Sequence, residues 1–153
     1  MTTDNDMQAL YRDLVLDHAR APRNFGRIKD ATHSAEGINP LCGDKLRLNL
    51  KIADSRVVEI QFEGTGCAIS VASASLLTQA VEDRRVTDVE TMITATIARL
   101  AGTNAGAPID AMPKELRALE GVKAFPSRIK CATLAWQALR SALLSSSEPA
   151  TTE

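Results

Sequence analysis

A strictly alternating segment near the middle of the sequence constrains the fold more than any other feature. Apolar side chains occupy every second position over Lys45–Ile52, and the run Val58–Phe62 repeats this period. A period of two is that of a strand with one buried face, so the two runs predict an antiparallel hairpin that turns at Ala53–Ser55. Placing Ile52 opposite Arg56 gives three buried apolar pairs: Leu50 with Val58, Leu48 with Ile60, and Leu46 with Phe62.

Helical spacing appears on both sides of this hairpin, where apolar residues recur at steps of three and four. The spacing predicts these helices: Met7–His18, Ala68–Val81, a third from a cap at Thr87 or Asp88 to Leu100, Pro113–Gly121, and a last one beginning at Pro126. The segment Ala31–Glu36 is expected to form a short strand. We therefore predict a single α+β domain over residues 1–144, followed by a polar, disordered tail over 145–153.

The composition excludes several classes of partner. The formal net charge is −1, the basic residues are scattered, and there are only five aromatic residues. These features disfavour nucleic acid and acidic membranes as partners. The longest uncharged run, residues 64–81, carries too many polar side chains to span a membrane, and Met1–Asp6 lacks the basic start of a secretory signal. A cytoplasmic location is expected.

The three cysteines lie at glycine-rich or helix-start positions. An odd number of thiols in a reducing compartment favours metal ligands or nucleophiles over disulfides. Extending the predicted hairpin register places Asp44 opposite Gly64, and Cys42 opposite Gly66, next to Cys67. Two thiols and a carboxylate therefore converge at one end of the sheet.

Cys131 follows in the first turns of the last predicted helix, so three thiolates and one carboxylate are available. Four such ligands suit a tetrahedral zinc ion. The alternative is that all three cysteines are small buried apolar residues, which is common in intracellular proteins. Their convergence favours the metal site.

Four ordered motifs resemble one known family. They are LYRDLVLDHARAPRNFG, NPLCGDKLRL, FEGTGCAISVASASLLTQAV and FPSRIKCATLAWQAL, and three of them contain a cysteine. Together they are similar to the SufU family, the zinc-binding, sulfur-accepting branch of the IscU/NifU-like iron-sulfur assembly proteins. The resemblance implies the α+β fold of the NifU N-terminal domain, of the SufE/IscU type, in which helices pack on an antiparallel sheet of about three strands.

The resemblance also implies a site and an activity. Cys42, Asp44, Cys67 and Cys131 would hold Zn²⁺, and Cys42 would accept persulfide sulfur from a SufS-type cysteine desulfurase. The protein would then act as a zinc-dependent sulfurtransferase that passes sulfur to a downstream SUF scaffold.

Two alternatives use the same residues. One is an IscU-type scaffold that assembles a 2Fe-2S cluster, and the other is an adaptor in which zinc only supports the fold. The scaffold branch carries a His before its third cysteine, where this sequence has Lys130, and an LPPVK element, where this sequence has Phe125–Ile129. An ammonium group has no lone pair for a metal. The 64 positions between Cys67 and Cys131 also match the longer SufU-type spacing.

Three further polar residues have less specific interpretations. Arg128 precedes Cys131 by one helical turn, so it is expected either near Asp44, supporting that carboxylate, or in solvent as an ordinary helix-start arginine. His18 is expected to pack at the end of the first helix, and His33 lies in a segment without a strong pattern. Neither histidine is included in the predicted site.

Overall fold

The structure is a computed structural model. It describes residues 4–103, 111–144 and 150–151, with side chains over 12–103, 111–144 and at 150. The elements are α1 (Asp4–Arg20), β1 (His33–Asn39), β2 (Asp44–Ala53), β3 (Arg56–Thr65), α2 (Ala68–Val81), α3 (Val86–Leu100), a 3₁₀ helix (Lys114–Ala124), α4 (Pro126–Leu143) and β4 (Ala150–Thr151).

The sheet has the strand order β3-β2-β1-β4. Its three long strands are antiparallel, which confirms the predicted α+β architecture, and the two-residue β4 runs parallel to β1 beside Gly37 and Ile38. Ala150 and Thr151 lie in the segment predicted to be a disordered tail, and at these residues the structure differs because the outer edge of β1 offers unpaired backbone groups. The rest of 145–153 lies outside the described residues.

The hairpin is present, but its predicted register is wrong by two residues. Leu50 pairs with Ile60, Leu48 with Phe62, and Leu46 with Gly64. The turn has only two residues, Asp54 and Ser55, both at positive φ, as in the turns that match strand twist. The pairing shifts after Lys51, so Val58 is the extra residue of a bulge and is exposed, while Val57 is fully buried.

Most helix predictions hold, with corrections at the ends. The second helix has the predicted bounds, and the last begins at Pro126. The predicted cap at Thr87 or Asp88 is wrong, because α3 begins earlier, after Arg85, which makes no side-chain capping bond. The strand predicted at Ala31–Glu36 lies further along as β1, and the loop after Leu100 falls partly outside the described residues.

The core lies between one face of the sheet and the helices. The helices α2 and α4 contact each other and the sheet, while α1 packs on α2 and α3 on α4. Trp136 and Phe62 are the largest fully buried side chains. Among the helices that the structure describes, none is both long and apolar enough to cross a bilayer. This packing brings the starts of α2 and α4 to the end of the sheet at which β2 begins.

Candidate metal centre

The four predicted ligands come from four different elements. Cys42 lies in the turn between β1 and β2, and Asp44 is the first residue of β2. Cys67 is the N-cap of α2, and Cys131 lies in the second turn of α4. Gly43 has φ +72°, a conformation that glycine adopts without strain, and it lets the chain reverse between Cys42 and Asp44.

Three of these residues form a tight cluster. One ligand atom from each of Cys42, Asp44 and Cys131 lies within 4.8 Å of the others, and the two Sγ atoms are 3.4 Å apart. The Cys67 Sγ is 4.0 Å from Asp44 Oδ2 but falls outside that tightest set. The cluster of Cys42, Asp44 and Cys131 could hold a metal ion, with Cys67 directly beside it.

Burial differs sharply within the cluster. Asp44 is 1% exposed and Cys131 2% exposed, whereas Cys67 is half-buried and Cys42 lies open to solvent. The site is therefore closed to solvent at Asp44 and Cys131 and accessible to solvent at Cys42.

The Asp44 carboxylate accepts hydrogen bonds at both oxygens. The backbone N–H of Cys67 donates to Oδ1 at 2.8 Å, and the Ser70 hydroxyl donates to Oδ2 at 2.7 Å. The Asn39 amide Nδ2 is 3.4 Å from the same Oδ2. These donors satisfy a charge that burial would otherwise penalise.

The residues Asn39 and Ser70 were not predicted from the sequence. Asn39 ends β1 opposite Asp44 and is fully buried; its Nδ2 also lies 3.5 Å from Cys131 Sγ, while its Oδ1 has no partner among the described residues. Ser70 is one helical turn after Cys67, and this spacing is the one signal that the sequence carried for it. The strand pattern gave no such signal for Asn39, because the strand was predicted to end at Glu36.

The surroundings of Cys131 keep its thiol neutral in the absence of a metal. Burial raises the pKa of the Cys131 thiol well above its usual range, and hydrogen bonds with Cys42, Cys67 and Asp44 raise it further. Without a metal this thiol keeps its proton. A divalent cation replaces the proton in such a setting, and a donor set of sulfur atoms and one carboxylate suits zinc or iron.

The other polar residues lie elsewhere. The exposed Arg128 guanidinium stacks over the Phe125 ring at 5.2 Å and is not among the hydrogen-bond partners of Asp44. His18 Nδ1 is 2.7 Å from Ser75 Oγ, and His33 Nδ1 is 2.8 Å from Thr32 Oγ1. The donor set at the site is therefore sulfur and oxygen, without imidazole.

Comparison with known proteins gives a consistent result. Residues 10–147 match the family model described as the NifU-like N terminal domain. The chain is 39% identical to the zinc-dependent sulfurtransferase SufU of Bacillus subtilis, over 91% of this chain and 92% of that one. It is 36% identical to the iron-sulfur cluster assembly scaffold protein IscU of Thermotoga maritima, over 92% and 96%.

Solved structures agree on the fold. A crystal structure of a candidate iron-sulfur cluster assembly scaffold protein for the SUF system, from Fervidobacterium islandicum AW-1, superimposes with a TM-score of 0.80 at 26% identity. It covers 89% of this chain and 98% of its own.

Proposed function

Since the chain belongs to the NifU-like N terminal domain family, in which relatives act in iron-sulfur cluster assembly, we propose that it is a zinc-dependent sulfurtransferase of that process. It takes persulfide sulfur from a SufS-type cysteine desulfurase and delivers it to a downstream SUF scaffold. One observation carries the proposal: an exposed thiol, Cys42, lies 3.4 Å from the buried thiol of Cys131, above the buried Asp44 carboxylate.

The metal ligands in this proposal are Cys42, Asp44, Cys67 and Cys131. Three of them already converge, and Cys67 lies beside them at the start of α2. Bound Zn²⁺ keeps thiols deprotonated and protects them from oxidation. The buried pair, Asp44 and Cys131, supplies the fixed part of the site.

Cys42 is the proposed sulfur acceptor because it is the exposed thiol of the three. Its thiolate attacks the outer sulfur of the persulfide on the desulfurase cysteine. A new S–S bond forms at Cys42, the S–S bond on the desulfurase breaks, and the desulfurase cysteine leaves as a thiolate. One sulfur atom changes carrier, and the reaction needs no oxidant or reductant.

The surroundings of Cys42 suit a protein partner. Leu41 is 71% exposed and Phe125 is 53% exposed, and both lie next in sequence to elements of the site. Large exposed apolar side chains near a reactive group are typical of a docking surface. Arg128 stacks on Phe125, so we assign its role to contact with the desulfurase rather than to support of Asp44.

A second function, assembly of a 2Fe-2S cluster on the same residues, is favoured by the similarity to IscU proteins. Metal analysis of protein purified without oxygen separates the two functions. Zinc at one ion per chain with a colourless protein supports the sulfurtransferase, whereas stoichiometric iron and sulfide with visible charge-transfer bands would favour the scaffold.

Persulfide mapping tests the acceptor. After incubation with the desulfurase and cysteine, without reductant, mass spectrometry should find one added sulfur on the Cys42 peptide. Cys42→Ser should abolish stimulation of desulfurase turnover. Added sulfur on Cys67 or Cys131, together with stimulation by the Cys42→Ser variant, would show that Cys42 is not the acceptor.

A further inference from the structure

The Ser70 hydroxyl touches three of the four proposed metal ligands. It lies 2.7 Å from Asp44 Oδ2, 3.4 Å from the Cys131 carbonyl oxygen and 3.5 Å from Cys67 Sγ. The residue is fully buried, so no bulk water competes for its proton. A serine hydroxyl has one proton to donate, and the shortest of these contacts is the one to the carboxylate.

This bond completes the attachment of Asp44 to the first turn of α2. The Cys67 N–H already holds Oδ1, so the two donors from α2 fix both carboxylate oxygens. A carboxylate held at both ends has one orientation available. Without the hydroxyl, Oδ2 retains only longer contacts, at 3.4 Å to Asn39 Nδ2 and 4.0 Å to Cys67 Sγ.

The charge of the proposed centre explains why such a donor is needed. Three thiolates and one carboxylate exceed the charge of a divalent cation, and much of this excess lies in a buried site. Buried charge is tolerated where hydrogen-bond donors surround it, and donors of this kind orient the ligands of metal sites.

We infer that Ser70 is a positioning residue that orients the Asp44 carboxylate toward the metal and thereby raises metal affinity. The inference rests on the proposed zinc site. Ser70 acts through Asp44, so its effect should depend on the presence of that carboxylate.

Ser73, on the next turn of α2, provides a matched control. It is also a fully buried serine, and its hydroxyl donates to the Ala132 carbonyl of α4 at 2.6 Å. Ser70 and Ser73 therefore both contact the backbone of α4, but only Ser70 donates to Asp44. Replacement of either residue by Ala removes one buried hydroxyl from the same helix.

The experiment measures the Zn²⁺ dissociation constant of the full chain by competition with a chromophoric chelator. Ser70→Ala should weaken binding by about 10- to 100-fold, the usual effect of losing a hydrogen bond to a metal ligand. Ser73→Ala should stay within about threefold of wild type. Melting of the metal-free variants should show that both are folded.

A double-mutant cycle identifies the route of the effect. In an Asp44→Ala background, Ser70→Ala should add no further loss of affinity, because its acceptor is gone. An equal loss in both backgrounds would overturn the inference, as would equal weakening by Ser70→Ala and Ser73→Ala, or wild-type affinity in Ser70→Ala. In those cases wild type still binds zinc and the proposed function stands. A wild-type chain that binds no zinc would reject the proposed function and this inference together.

Discussion

The two ends of the β2–β3 hairpin contact opposite ends of α2 in different ways. At the turn end, around Asp54 and Ser55, the hairpin meets the segment that follows α2. At the open end, around Asp44, it meets the first turn of α2 at Cys67. Both ends tie the sheet to the same helix, but they use different groups to do so.

The turn end is held mainly by backbone groups, beside one exposed side-chain contact from Arg56 to Asp83. Val57 N–H donates to the Arg84 carbonyl at 2.9 Å, Asp83 N–H donates to the Val57 carbonyl at 2.7 Å, and Val86 N–H donates to the Ser55 carbonyl at 2.9 Å. Peptide groups are present whatever the side chains are. This end therefore tolerates changes of exposed side chains, and it serves as a structural anchor.

The open end depends on particular side chains. The N–H of Cys67 donates to the Asp44 carboxylate, and the Ser70 hydroxyl completes the attachment. A cation bound by these side chains would link the first turn of α2 to the sheet and add to the stability of this end. The comparison teaches that the candidate metal ligands lie at the end where side chains, and not only peptide groups, join the helix to the sheet.

Metal removal should give the largest effect, and the local loosening should be greatest at the open end. A strong chelator should lower the free energy of unfolding by about 4 kcal/mol if zinc is otherwise present at a thousandfold excess over its dissociation constant. The melting temperature should fall by about 8 to 16 °C. Hydrogen exchange should accelerate more at the Cys67 amide than at the Val57 amide. An unchanged melting temperature would contradict the proposed metal tie.

Gly64→Ala should be the most damaging single substitution near the open end. A Cβ at Gly64 would lie 2.1 Å from the Lys45 carbonyl oxygen and 2.9 Å from Leu46 Cα, both backbone atoms of β2, and φ is +134°. We expect a loss of about 3 kcal/mol in urea unfolding.

Gly43→Ala is the matched control for Gly64→Ala. Gly43 also has positive φ, at +72°, but a Cβ there would meet no atom within 4 Å. Its cost should be the conformational one alone, about 1 kcal/mol. Equal losses for the two variants would contradict the close approach of the strands at Gly64.

At the turn end, a valine pair tests the bulge. Val57 is fully buried and the adjacent Val58 is 42% exposed. Val57→Thr should cost about 2 kcal/mol, because it buries a hydroxyl, and Val58→Thr should cost less than about 0.5 kcal/mol. A larger stability loss for Val58→Thr than for Val57→Thr in urea unfolding would support the register predicted from alternation.

A smaller effect is expected midway between the two ends, where α1 packs on α2 through His18 and Ser75. Burial, with a contribution from Arg23, lowers the pKa of His18, and Asp17 opposes this shift. The unfolded chain binds a proton near pH 6.5 while the folded chain does not, so stability should fall as pH drops below about 6.5.

Proton linkage limits the size of this pH-dependent loss of stability, and a His18 variant provides the control. The loss should be at most about 1 kcal/mol over the first pH unit in the metal-free protein, because one proton is involved. His18→Gln should flatten this part of the profile. Parallel profiles for the two proteins, measured by thermal unfolding, would show that His18 is not buried in its neutral form.

Local patterns predicted which segments form helices and strands, but not the register of the hairpin or the end of β1. The bounds of α2 follow from helical spacing. The hairpin register failed because Val57 and Val58 are both apolar, so alternation alone cannot show which one the bulge turns outward. The end of β1 was missed because Gly37 and Asn39 are residue types that strands disfavour. Gly37 is there for another reason: a Cβ would crowd Leu134 and Ala138 of α4 at 3.2 Å.

The sequence by itself determined the elements, the family and the approach of Asp44 to Cys67, because these depend on short-range periodicity and on one hairpin. The approach survived the register error, since Gly64 and Gly66 still bring the start of α2 back to Asp44. Only the tertiary structure decided that Cys131 lies 3.4 Å from Cys42 and that Asn39 and Ser70 reach the carboxylate. Those contacts arise from the packing of α2 and α4 on the sheet, and the angle and offset of that packing are set by many side chains at once, which no local pattern records.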